Sequence, residues 1–133
     1  MRQSDSDHVG AFVVVTVIAV CSLIWTTVVY AARDVSFSLD VLPILQNHCV
    51  KCHNPDGPGF QASGLDLRSY ESLMQGTKHG QIIVPGKPLT SNIMVLIEGR
   101  ADPSIRMPHN EKPLIRHQIE IIGDWIKQGA RDN

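Results

Sequence analysis

No basic stripe runs along this chain, and no acidic tract does either. Twelve Lys and Arg stand against thirteen Asp and Glu, for a net charge of −1. The electrostatic footprint of a nucleic-acid binder is therefore missing, and no nucleic-acid partner is expected. Internal repeats and low-complexity tracts are also absent. Cysteine is scarce: Cys21 lies in an apolar run, which leaves Cys49 and Cys52 for the rest of the chain. Two cysteines cannot build the disulfide framework of a small secreted fold. A second Cys/His pair at zinc-finger spacing is missing, which weighs against a structural zinc site. The strands that would place Cys49 and Cys52 in a thioredoxin-like βαβ unit are missing too, which weighs against a thiol-disulfide oxidoreductase.

What the chain does have is Cys49-Val50-Lys51-Cys52-His53, the Cys-x-x-Cys-His sequence that attaches a c-type haem. Two cysteines three positions apart on one helical turn can reach two vinyl groups of the porphyrin. The next residue then turns its imidazole toward the iron. Cys49 and Cys52 are expected to bond one haem c covalently, with His53 as the proximal iron ligand.

One long apolar run, Val9 to Ala32, carries no charged residue. At about 1.5 Å per residue it is roughly 36 Å long as a helix, enough to cross a hydrocarbon core of about 30 Å with some tilt. A cleaved signal would have a shorter apolar region and a basic leader, whereas here Arg2 is opposed by Asp5 and Asp7. Trp25 and Tyr30 suit an interfacial aromatic belt, and Cys21 reads as a small buried side chain in a membrane helix rather than a lipidation site. The expectation is a short cytoplasmic N-terminus over residues 1–8, a retained single-pass transmembrane anchor over 9–32, and a soluble domain over 33–133. Haem is attached outside the bacterial cytoplasmic membrane, so the domain is expected in the periplasm.

The soluble part reads as helical. Ser38 or Asp40 is a candidate N-cap for a first helix, with Pro43 tolerated in its first turn and Val41, Leu42, Ile44 and Leu45 supplying an apolar face. This helix is expected to run straight through the Cys49–His53 motif and stop at the turn formers of residues 54–59. Leu65 to Leu67 reads as a short extended piece. Ser69 caps a brief helix over Tyr70 to Gln75 that ends at Gly76. Thr90 or Ser91 caps another through Ile97, closed by Gly99. Residues 100–113 read as loop. Ile115, Ile119, Ile122 and Ile126, widened by Ile121 and Trp125, define the buried face of a last helix that Gly129 ends. The first and last helices are expected to pack on each other beside the haem, with Trp125 against the haem or the first helix.

Those residues resemble monohaem c-type cytochromes, and within them the planctomycete-type cytochrome c domain. The likeness extends from Val41 to Ala130 and is carried by VLPILQNHCVKCH, GLDLRSYESLMQG, IIVPGKPLTSNIM, RMPHNEKPL and IEIIGDWIKQGA. It implies an all-α, cytochrome c-like fold around one covalent haem, and electron transfer rather than catalysis. The chain departs from the family at Met107-Pro108-His109, where Met-Pro-Pro is usual.

Six-coordinate haem iron needs a group opposite His53. Met107 is the expected distal ligand, because it sits in a proline-bounded loop without helical periodicity; in the resembled family the Met-Pro methionine has this role. His109, two residues on, is the competitor, and an open iron site is the third possibility. Met74 and Met94 lie on apolar faces and read as packing. Arg68, Arg100 and Arg106 are candidates to neutralise a haem propionate. The expected function is that of a membrane-anchored electron carrier for redox protein partners, as an accessory subunit of a respiratory or photosynthetic complex, with no small-molecule substrate. A haem sensor or small-molecule catalyst with an open site is the alternative.

Overall fold

Ser36, not Ser38 or Asp40, opens the first helical segment. Its Oγ accepts the Leu39 N–H at 3.2 Å, while Asp40 returns a carboxylate oxygen to the Ser36 N–H at 2.9 Å. This reciprocal closure satisfies two of the donors that a helix start leaves free. A π-helical turn over Phe37–Val41 follows and leads into α1, Leu42–His48. The computed structural model describes residues 33–133; the expected cytoplasmic segment 1–8 and transmembrane anchor 9–32 lie outside them. Among the described residues, no helix is long and apolar enough to cross a membrane.

Four further helices complete the domain: α2 (Pro58–Ser63), α3 (Tyr70–Gln75), α4 (Asn92–Ile97) and α5 (Arg116–Lys127). Single 3-10 turns cover Pro88–Thr90 and Pro103–Ile105. The described residues hold no strand, only an isolated bridge between Thr77 and Gly80. Their class is therefore all-helical, as the periodicity implied. Ser69 caps α3 through the Ser72 N–H, as expected, and Gly76 follows it with φ 79°. Ser91 stands at the N-cap of α4 but turns its hydroxyl elsewhere. Fully buried, it accepts the Val84 N–H at 2.9 Å and donates to the Lys87 carbonyl at 3.0 Å, which fixes the Pro85-Gly86 turn against the helix.

Three further expectations need correction. The first helix does not run through the haem motif: it ends at His48, and Cys49–His53 forms a sequence of turns. The cause is local, since the Leu45 carbonyl accepts N–H groups from both Cys49 (2.8 Å) and Val50 (2.9 Å), so the next turn has no register to continue. Residues 58–63 form a helix rather than part of a turn; Pro58 at its first position loses no bond, because that N–H is unpaired in any helix. Ile115 is not on the buried face of the last helix. It precedes the helix as N-cap and is 64% exposed.

The core is built where the ends of the domain meet. Phe37, Val41, Leu45, Leu73, Ile83, Ile122, Trp125 and Ile126 are buried. The rings of Phe37 and Trp125 lie 5.4 Å apart and Tyr70 closes the group edge-on, so the first and last helical segments do pack together. Polar ties reinforce this: Gln128 bonds both the Val35 N–H (2.8 Å) and the Arg33 carbonyl (3.0 Å), and Tyr70 donates its hydroxyl to the Ala130 carbonyl at 2.9 Å. Met94 is buried between α4 and α5, and Gly123 leaves room for its methyl group, which a Cβ there would meet at 3.2 Å.

Candidate haem site

The Cys49–His53 turn is built on its own first carbonyl. The N–H groups of Cys52 and His53 both donate to the Cys49 carbonyl, at 3.0 and 2.9 Å. Behind the turn, α2 closes in. The Phe60 N–H donates to the Cys52 carbonyl at 3.1 Å, and the Leu67 N–H donates to the His53 carbonyl at 2.9 Å. Such close approach needs glycine at two places: a Cβ on Gly57 would lie 2.3 Å from the Cys52 oxygen, and one on Gly59 would lie 2.8 Å from Cε1 of His53.

Cys49 and Cys52 are half-buried and unbridged. Burial, with help from the charge of Glu111 and from Cys52, pushes the Cys49 thiol up to about 12. A redox-active Cys-x-x-Cys needs the opposite, a depressed thiol, so the environment agrees with the missing βαβ context in disfavouring disulfide exchange. In haem-free protein, alkylation of Cys49 is expected to rise about tenfold per pH unit past the ordinary thiol value of 9.0, because only the thiolate reacts. Mass-spectrometric rates that level off by pH 9 would contradict this. His53 is lowered from its ordinary value, chiefly by burial; the backbone of Leu65 opposes the shift without closing a hydrogen bond to Nδ1, which is buried and unpartnered.

The Met107 loop comes to the same region. Glu111, four residues beyond Met107, reaches Lys51 inside the motif at 3.5 Å. Met107 is half-buried and packs against the core, as Cys49 does, and its N–H bonds the Leu96 carbonyl at 3.2 Å. His109 is exposed, as are His79 and His117. His48 is half-buried and takes a hydrogen bond from the Gln118 carboxamide at 3.0 Å. Gln118 also accepts the Ile115 N–H at 3.1 Å, so one side chain joins the end of α1 to the start of α5. Sequence spacing carries no signal for this link or for the Lys51–Glu111 pair.

Of the propionate candidates, Arg68 is engaged by Asp66 at 2.8 Å and Arg100 by Glu98. Arg106 is exposed, lies over Gly99 and makes no ion pair among the described residues. No group of three His, Cys, Asp or Glu that could hold a metal ion occurs among the described residues. Two unbridged, half-buried thiols and a half-buried imidazole on one turn form the donor set that covalent haem requires, and the residues fit it.

Sequence similarity over this region supports a cytochrome c-type domain. A family model described as Planctomycete cytochrome C matches residues 49–111, slightly under half of the chain and including both the motif and the Met107 loop. No curated protein and no solved structure matches. A domain of this type implies covalently bound haem c and electron transfer in general.

Proposed function

We propose that this chain is a membrane-anchored monohaem cytochrome c that passes single electrons between redox partners, as an accessory subunit of a larger membrane complex, respiratory or photosynthetic. Cys49 and Cys52 would hold one haem, and His53 and Met107 would ligate its iron. When bound, the haem supplies one-electron cycling at iron; the chain contributes attachment, orientation and exclusion of water. The observation that carries this reading is the burial contrast in the 107–111 loop, whose Glu111 reaches Lys51 of the motif: Met107 packs toward the core while His109 faces solvent. With His53 and Met107 both on the iron, a small molecule would find no site there, and the protein would act as a carrier rather than a catalyst.

The anchor rests on the uncharged run from Val9 to Ala32. A tether of that kind raises the effective concentration of the domain near its partner and keeps the haem at the periplasmic face of the bacterial cytoplasmic membrane. The test is the ferric spectrum of the full chain beside that of Met107→Ala. The wild-type protein is expected to show the methionine–iron charge-transfer band, and the variant to lose it and bind carbon monoxide rapidly when reduced. Bis-histidine features in the wild-type spectrum would move the distal role to His109; rapid carbon monoxide binding by the wild type would favour a sensor or catalyst with an open site.

A further inference from the structure

A haem-attachment turn that does not continue a regular helix must be held by something other than the helical ladder. α1 ends at His48, and Cys49 leaves the helical region with φ −127° and ψ −43°. The carbonyls of Val50 and Lys51, the two residues between the cysteines, receive no main-chain N–H. Both are satisfied by one side chain. Asn54 donates its Nδ2 hydrogens to the Val50 carbonyl at 2.7 Å and the Lys51 carbonyl at 3.1 Å. Its Oδ1 accepts the Asp56 N–H at 3.0 Å, which turns the chain back toward Gly57 and α2. Two acceptors on one side and a donor on the other allow only one orientation of the carboxamide.

We propose that Asn54 is the positioning residue for haem attachment, holding the turn between the cysteines so that both thiols and the His53 imidazole are presented together before the haem is bonded. The proposal rests on the reading of Cys49–His53 as a haem-attachment turn. Among side chains of this size only a carboxamide serves. Aspartate keeps the acceptor but sets oxygen against two carbonyls, and leucine keeps the bulk without any partner. The energetic logic is preorganisation: the turn is ordered by the protein, so haem attachment need not order it.

The experiment compares full-length, haem-loaded wild-type protein with Asn54→Asp, Asn54→Leu and Gln61→Leu. The last removes a bond of the same loop, Gln61 Nε2 to the Pro55 carbonyl at 2.9 Å, without touching the turn. Covalent haem per chain is expected to fall about fivefold or more in both Asn54 variants, the effect of losing about one hydrogen bond's net worth or more, and to stay at the wild-type level in Gln61→Leu. Reduction potential and ferric NMR shifts of the His53 ring should move in whatever Asn54 variant loads. Wild-type haem content in Asn54→Asp, or an equal loss in Gln61→Leu, would overturn the proposal. A measurement on the wild type alone covers the case of variants that do not fold. The two Asn54 carboxamide protons should exchange slowly with solvent, and exchange at the rate of a free carboxamide would also overturn it. Absence of covalent haem from the wild-type protein would instead sink the attachment reading, while the carboxamide protons would still report on the turn.

Discussion

Replacing Trp125 with alanine is expected to cost about 3–5 kcal/mol of unfolding free energy, the usual range for deleting a buried aromatic. Trp125 is 1% exposed and its indole N–H donates to the Arg131 carbonyl at 2.9 Å. Its ring lies 5.4 Å from that of Phe37 and 6.4 Å from that of Tyr70. These three rings belong to the opening π-helical turn, α3 and α5, segments far apart in sequence, so the loss is felt where both ends of the domain are joined. A small domain has about 5–15 kcal/mol to lose, and the variant should sit near the margin. Trp125→Phe separates the contributions: most of the ring volume stays, and the missing indole N–H leaves the Arg131 carbonyl without its partner, for about 1 kcal/mol plus imperfect packing. Urea unfolding of the haem-loaded chain should show a lower midpoint at an unchanged slope. A loss below about 1 kcal/mol for the alanine variant would mean that this aromatic group is not the joint between the ends.

How far the fold could be read in advance follows from the range over which each feature is decided. The face of α5 was legible because Ile119, Ile122, Trp125 and Ile126 recur at helical spacing, and α3 because a serine and a glycine bracket it. The haem motif needed no fold at all. By contrast, α1 stops at His48 through competition for one carbonyl, that of Leu45, which no propensity encodes. α2 was hidden because Pro58 and Gly59 are also the residues of a turn; what settles the matter is the bond from the Phe60 N–H to the Cys52 carbonyl, a contact between elements. Ile115 fits the period of α5 but precedes its first turn, so its side chain meets solvent. The Lys51–Glu111 and His48–Gln118 pairs, sixty and seventy residues apart, bring together segments whose sequences give no sign of each other.

The second large effect is expected at Gly57. Its φ of −86° and ψ of 151° are open to any residue, so conformational freedom is not why glycine stands there. The reason is space: a Cβ would lie 2.3 Å from the Cys52 oxygen and 2.7 Å from the Cys52 carbonyl carbon. Those are main-chain atoms, and they cannot rotate away as a side chain could. The Cys52 carbonyl is held by the Phe60 N–H at 3.1 Å, and its peptide leads directly into His53. Relieving the clash must therefore tilt the Cys52–His53 peptide, moving a thiol and the imidazole at once. Gly57→Ala is expected to cost about 1–3 kcal/mol or more through overpacking, together with most of the covalent haem. Gly86→Ala provides the contrast. Gly86 has φ 78° with open space where a Cβ would go, so alanine there should cost about 1–2 kcal/mol of left-handed strain and leave haem content unchanged. Comparing haem per chain with unfolding free energy in the two variants separates damage to the attachment turn from loss of stability alone. Equal haem loss at equal destabilisation would mean that Gly57 acts only on the fold, whereas selective loss at Gly57 would place the Cys52–His53 peptide among the parts that attachment requires.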